Sequence, residues 1–284
     1  MSNLQGTVAD RIAVGMSSMS GAEKRAARTL LARYPVAGLE SVTDFAEQSR
    51  ISTTSVLRFI AKLGYSGYPD FRRALRDEVD ESRQNPLTLP RDGSGDAGSE
   101  HANELLELVR TTLGGLDAEQ VAGAVELLAD TRRNIYIIGG NLTSSVASYF
   151  SYHLQKMRQG VFVLPAAIEA RADRIVDIGK RDILIVFDTR RYQADVIETA
   201  RFVARRGGTV ILMTDQWLSP ISDIAKLIFS AKVATLSPWD SLLGLNAIID
   251  TICLSLDRRL WTMTRPRLEA IESCVNELHK DGRT

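Results

Sequence analysis

SVTDFAEQSRISTTSVLRFIAKLGYSGYPDF, residues 41–71, reads as two short helices joined by a tight turn. Ser41 stands where it can cap a first helix over Val42–Gln48, whose buried side is Phe45 and Ala46. Ser49 and Arg50 make the turn, and Ser52 caps the next helix. Ile51 and Val56 flank that cap at the spacing of a hydrophobic staple. Val56, Phe59, Ile60 and Leu63 then recur at helical spacing as one apolar face. The opposite face carries Thr53, Thr54, Ser55, Arg58 and Lys62, with no acid among them. Gly64 ends the helix as a left-handed cap.

This is the layout of a helix-turn-helix whose second helix enters a DNA major groove through its N-terminal turns. The candidate DNA-contacting residues are Ser52, Thr53, Thr54, Ser55, Arg58 and Lys62. Their hydroxyls can reach base edges or phosphates, and Arg58 can reach a guanine edge or the backbone. The pattern alone equally fits a helical hairpin with a solvated face. Ile51–Phe59 followed by Leu63–Phe71, however, closely resembles the N-terminal domain of RpiR-type bacterial transcription regulators. There V-S-x-x-[ST]-V-x-R-F precedes L-G-[FY]-x-G-[FY]. The resemblance implies double-stranded DNA as the partner.

A chain of 284 residues suggests about two domains, and a hydrophobic share of 44% with 25% charged residues is ordinary for a globular protein. Thirty-five basic residues balance thirty-five acidic ones, and residues 1–80 hold eleven against nine. DNA affinity would therefore rest on a local patch, which is what counterion release requires. Cys253 and Cys274 have neither metal-ligand nor CxxC spacing and fit a reducing setting. No signal pattern or membrane-length apolar run appears, so a cytoplasmic location is expected.

Upstream of residue 41, residues 1–19 read as an irregular or weakly helical leader. Ser20 and Glu23 have capping-box spacing and open a helix to about Tyr34. Downstream, Pro69 suits the first turn of a helix whose stripe is Phe71, Leu75 and Val79. Arg72, Arg73 and Arg76 line its polar side, either solvated or facing phosphates. Two prolines and three glycines across residues 81–99 mark a linker. The expected organisation is a helix-turn-helix domain at 1–80, a linker at 81–100 with independent cores on either side, and an α/β domain at 101–284.

In that second part helices are expected near Ala102–Leu113 and Ala118–Asp130, then a buried strand Asn134–Ile138 ending in Gly139-Gly140 and a helix at Ser144–Gln159. Val161–Leu164, Ile183–Phe187, Val210–Met213 and Leu227–Phe229 read as further strands, with helices near Asp195–Arg206 and Ile221–Ala225. A long helix over Asp240–Leu260 precedes an amphipathic tail, Arg265–Lys280. Strands alternating with helices predict a parallel sheet covered on both faces. Ligands of such sheets sit at the carboxyl ends of strands, here the loops 139–145, 188–193 and 214–219.

The segment from about Ile135 to Leu256 resembles the SIS (sugar isomerase) domain that RpiR-type regulators carry, which implies a phosphosugar site in two hydroxyl-rich loops. The first loop pattern, G-x-G-x-S-x-x-x-A, stands here as Gly139-Gly140-Asn141-Leu142-Thr143-Ser144-Ser145-Val146-Ala147. The second, S-x-S-G-x-T, stands as Asp188-Thr189-Arg190-Arg191-Tyr192-Gln193, with both serines, the glycine and the threonine replaced. Asp188 would repel a phosphate, while Arg190 and Arg191 would attract one. Two readings stay open: a pocket altered for another anion or polyol, which is favoured, or a domain that only dimerises. The candidate effector-binding residues are Gly140, Asn141, Thr143, Ser144, Asp188, Arg190, Arg191 and Gln193. The third loop keeps the family's T-D and S-P at Thr214-Asp215 and Ser219-Pro220, with Trp217 read as packing beneath it.

Isomerase chemistry needs an acid/base group at the sugar carbons, for which Glu169 and His153 are the candidates. Each has an ordinary helical explanation, and no nucleophile triad, metal cluster or cofactor motif is evident. The expected protein is a non-enzymatic, effector-controlled regulator that acts as a homodimer or higher homo-oligomer on a pseudo-palindromic operator, without cofactor, metal or membrane. The alternatives are a sugar-phosphate isomerase with an added helical domain and an effector-independent DNA-binding dimer.

Overall fold

The computed structural model describes residues 7–82, 97–235, 237 and 239–281. Most of the expected linker, residues 83–96, lies outside the described residues.

Six helices form the N-terminal part: α1 (Val8–Gly15), α2 (Gly21–Ala32), the short α3 (Val36–Leu39), α4 (Val42–Ser49), α5 (Thr53–Lys62) and α6 (Tyr68–Ser82). The leader is more ordered than its composition suggests. Thr7 and Asp10 form a complete capping box at the start of α1, and the spacing of that box was present in the sequence. A distant acid completes the anchor: Glu78 of α6, buried, accepts from the Val8 amide at 2.7 Å and from the Tyr34 hydroxyl. Ser20 and Glu23 cap α2 as their spacing predicts.

α4 and α5 are joined by a motif that the turn residues specify. Arg50 adopts the left-handed conformation at φ 52°. The Arg50 amide bonds the Glu47 carbonyl and the Ile51 amide bonds the Ala46 carbonyl, each at 3.0 Å, the two bonds of a Schellman cap. The same pair recurs after α5, where Gly64 (φ 91°) donates to Ala61 and Tyr65 donates to Ile60. Between them Ser52 caps α5 by accepting from the Ser55 amide at 3.2 Å. Val56, Phe59, Ile60 and Leu63 face a core that includes Phe45, Phe71 and Leu75.

The C-terminal part begins with α7 (Ala97–Gly114) and α8 (Ala118–Ala129), followed by a five-stranded sheet. The strands are β1 (Ile135–Gly139), β2 (Val161–Val163), β3 (Ile183–Asp188), β4 (Thr209–Asp215) and β5 (Leu227–Ala231). Their order is β2-β1-β3-β4-β5, with every pair parallel. Alternate residues feed two cores. Ile135, Ile137, Ile183, Ile185 and Phe187 pack with α9 (Ser144–Met157) and the long α12 (Leu243–Asp281). Leu184, Val186, Val210 and Leu212 pack with α10 (Ile168–Ile175) and α11 (Ala194–Arg205). A sheet buried on both faces needs apolar residues at consecutive positions, hence the continuous runs in the sequence.

Three differences from the sequence reading have physical causes. The segment near Ile221–Ala225 is a 3₁₀ turn over Pro220–Asp223 that opens with Pro at its first turn, not a longer helix. The expected long helix and the amphipathic tail after it are one helix, because α12 passes through Pro266. Proline there forfeits a helical hydrogen bond, but Thr264 Oγ1 donates to the Met157 carbonyl and Arg267 Nε to the Gln155 carbonyl, bracketing the break. Lastly, the two cores are not independent. Leu218, on the loop after β4, is a buried member of the helical N-terminal core, with Ile228 packed beside it. Among the described residues no helix is long and apolar enough to cross a membrane.

Candidate functional site

The outward face of α5 is built by its own packing. With Val56, Phe59, Ile60 and Leu63 committed to the core, Thr53, Thr54, Leu57, Arg58 and Ala61 are left exposed. Thr54, Leu57, Arg58 and Ala61 succeed one another at three- and four-residue intervals on one surface. The predicted DNA residues separate into two groups on this helix. Thr53, Thr54 and Arg58 stand free in solvent among the described residues. Ser52 is occupied as the cap, and its hydroxyl also meets that of Ser55 at 3.0 Å. Lys62 turns away from the outward face: its ammonium bonds the Ser18 carbonyl at 2.5 Å and Glu23 at 3.1 Å, tying α5 to the start of α2. Leu57, half exposed, was missed because a leucine on a polar face carries no signal in periodicity.

The second site is a cavity of about 450 Å³ where the loops after β1 and β3 meet the segment leading into α12. β1 and β3 are adjacent while the chain runs outward on either side of them, so the cavity lies at the point where strand order reverses. The first loop contributes Gly140, Asn141, Leu142 and Thr143, and the second Asp188, Thr189, Arg190, Arg191 and Gln193. Trp239 and Asp240 close the third side. Seven of the eight predicted effector residues line this space. Ser144 does not, since its hydroxyl turns back to the Asn141 carbonyl at 2.9 Å.

The first loop is a tight return. Gly139 has Thr143 backbone atoms 2.6 Å from where a Cβ would stand, so no side chain fits there. The Thr143 hydroxyl is spent within the fold, accepting from the Gly140 amide at 2.8 Å and donating to the Phe187 carbonyl at 2.7 Å. It therefore holds the loop against β3. Gln193 links the two loops by accepting from the Asn141 amide at 2.5 Å.

The second and third loops are laced through two buried carboxylates. Asp188 accepts from the Ser219 hydroxyl at 2.5 Å and the Gln193 amide at 3.3 Å. Asp215 accepts from the Arg190 amide at 2.5 Å, the Tyr192 hydroxyl at 2.9 Å and the Trp217 amide at 3.0 Å. Burial pushes Asp188 up to about 6 and Asp215 up to about 7, their hydrogen bonds opposing the rise. Burial, then the charge of Asp215, pushes the Tyr192 phenol upward.

Of the two arginines, Arg190 is already satisfied. Its guanidinium lies over the Trp217 ring at 4.8 Å and pairs with Asp240, Nε standing 2.7 Å from both carboxylate oxygens. Arg191, in the left-handed region at φ 70°, is exposed and has no charged partner among the described residues. Asp240 was missed because fifty residues separate it from Arg190. Neither Glu169 nor His153 lines the cavity; His153 sits against the rings of Tyr149 and Tyr152 on α9, and Glu169 is exposed on α10.

Residues 6–82 match the helix-turn-helix domain of the rpiR family, and residues 127–256 match the SIS domain. The chain belongs to the RpiR family. Among its relatives, the transcriptional regulator RpiR of Escherichia coli K12 is 23% identical over 245 residues, covering 84% of this chain and 79% of that one. The same fold is seen in the sugar isomerase domain of an RpiR transcription factor from Sphaerobacter thermophilus, at TM-score 0.58 and 19% identity over 63% of this chain and 99% of that one. It is seen again in Vibrio vulnificus NanR complexed with ManNAc-6P, at TM-score 0.56 and 20% identity over 96% and 99% of the two chains. Within this RpiR-family chain, the helix-turn-helix match spans α1 to α6 and the SIS match holds both cavity loops.

Proposed function

We propose that this RpiR-family regulator reads double-stranded DNA through the exposed face of α5 and is controlled by a small polar metabolite bound in the cavity. The observation that carries the reading is the division of labour on α5. Its apolar half is wholly used in the core, and its other half holds free hydroxyls and a free arginine beside Leu57. In a major groove Arg58 would take a guanine edge or a phosphate, Thr53 and Thr54 the backbone or bases, and Leu57 a thymine methyl. Two copies of the chain on a two-fold axis would read a pseudo-palindrome with half-sites about one helical turn, or a multiple, apart.

The cavity suits a sugar phosphate or a related anion or polyol. Its volume lies within the range of small-molecule sites. Arg191 offers the cation, while Asn141 and Gln193 offer amides to hydroxyls. Arg190, paired with Asp240, is available to an anion only in competition with that carboxylate. NanR, similar in fold, holds ManNAc-6P, which supports this class of ligand. Since neither Glu169 nor His153 reaches the cavity, sensing is favoured over turnover.

The route from cavity to DNA runs through the loop after β4. Trp217 lies under Arg190, and the next residue, Leu218, enters the core of the DNA-reading part with φ 58°. A ligand that binds one arrangement of this loop better than the other would shift the balance between them. The direct test is a thermal-shift screen of the full chain with sugar phosphates, sugar acids and polyols. A compound should raise the melting temperature of wild type but not of Arg191→Ala; equal stabilisation of both removes Arg191 from the site.

A further inference from the structure

Among the described residues, the last four turns of α12 bury no side chain deeply against the rest of the chain. Thr264 is the last deeply buried residue, and 269–280 are exposed apart from Ile271 among those whose burial is described. A helix of this length without tertiary packing is marginal in water, and Pro266 removes one of its hydrogen bonds. Its apolar residues nevertheless keep strict order. Leu254, Trp261, Leu268 and Val275 recur every seven residues, with Ile271 and Leu278 three residues after the last two. Seven-residue spacing with such intermediate positions is the seam of a two-stranded coiled coil. Leu254, Trp261, Val275 and Leu278 are 56%, 50%, 44% and 68% exposed, so the seven-residue stripe faces outward. The intermediate position after Trp261 is Thr264, buried within the chain, so the paired seam begins at Leu268.

We infer that this stripe is where a second copy of the chain docks, the two α12 helices lying parallel along it. In that register Arg267, its Nε already donating to the Gln155 carbonyl of its own chain, flanks the seam on one helix with its remaining guanidinium N–H groups, and Glu272 flanks it on the other, five residues on. The two meet as opposite charges twice, once on each side of the axis. Pro266 falls on the side away from the seam, where the ring disturbs no contact. A parallel pairing also puts both DNA-reading parts at the same end of the assembly, as a two-fold operator needs. The inference adds a surface to the dimer assumed in the proposed function and rests on that part of the reading.

Sedimentation equilibrium of the full chain separates the outcomes. Wild type should run at twice the 31.3 kDa chain mass, and Ile271→Asp/Val275→Asp should weaken self-association at least tenfold. Both substitutions lie outside the folded cores, so circular dichroism and melting of the body should hold. In a Cys274→Ser background, Val275→Cys should form a disulfide-linked dimer on mild oxidation, while Ser273→Cys, on the outer side, should not. A monomeric wild type, or a double-aspartate variant that associates as tightly as wild type, overturns the inference; so does cross-linking at 273 but not at 275. Retained operator binding by a variant that still dimerises would refute this surface while leaving the DNA reading intact.

Discussion

In the proposed reading, Arg58 is the side chain on which DNA recognition should most depend, because it is exposed, unpaired among the described residues and carried by a helix whose other face is fixed. Arg58→Ala should weaken operator binding by about 1–3 kcal/mol without lowering the melting temperature; a gel-shift titration checks the first and a thermal melt the second. Asp188 makes a second residue-scale prediction, on pH. Burial raises its pKa to about 6, against ~3.9 in an unfolded chain. The folded protein therefore holds this proton more tightly, and its stability falls as pH rises from about 4 through about 6. Asn at 188 can accept from the Gln193 amide and donate to Ser219 without a charge. Asp188→Asn should remove up to about 3 kcal/mol of that fall, read as a flatter profile of unfolding free energy against pH.

At the scale of elements, α5 is bounded by its cap and its stop. Ser52→Ala should cost about 1 kcal/mol. Gly64→Ala should cost about 1–2 kcal/mol, because φ 91° places a Cβ in the left-handed region. Denaturant unfolding measures both, and a neutral Gly64→Ala would contradict the cap. These boundaries were legible in the sequence because caps are local: Ser41, Ser52 and Gly64 act within four residues of themselves. The strands were legible for the same reason, as short apolar runs ending in glycine or polar residues. The anchoring of α1 was not, since Glu78 reaches Val8 across seventy residues. Nor were the final states of Lys62, Thr143 and Arg190 visible, because each is engaged by a partner that only the fold brings near. Residue type announced a candidate site, and tertiary contacts decide which of its groups remain free for a ligand.

On the scale of the molecule, Leu218 joins the two parts. Truncating it should loosen the link between cavity and α5 while sparing each site. Leu218→Ala should bind operator within a few-fold of wild type and still bind effector, yet lose the effector's influence on DNA affinity; an undiminished response would place the coupling elsewhere. Near-zero net charge leaves little non-specific attraction to DNA, so the proposed function requires two α5 helices to engage together. The most direct test of that claim is selection of bound sequences from random duplex DNA by the full-length protein, with Arg58→Ala selected in parallel. Wild type should enrich a pseudo-palindrome with half-sites one helical turn, or a multiple, apart, and the folded Arg58→Ala protein should fail to enrich it. No enriched sequence for wild type, or the same sequence enriched equally by the variant, would contradict the assignment of α5 as the element that reads DNA.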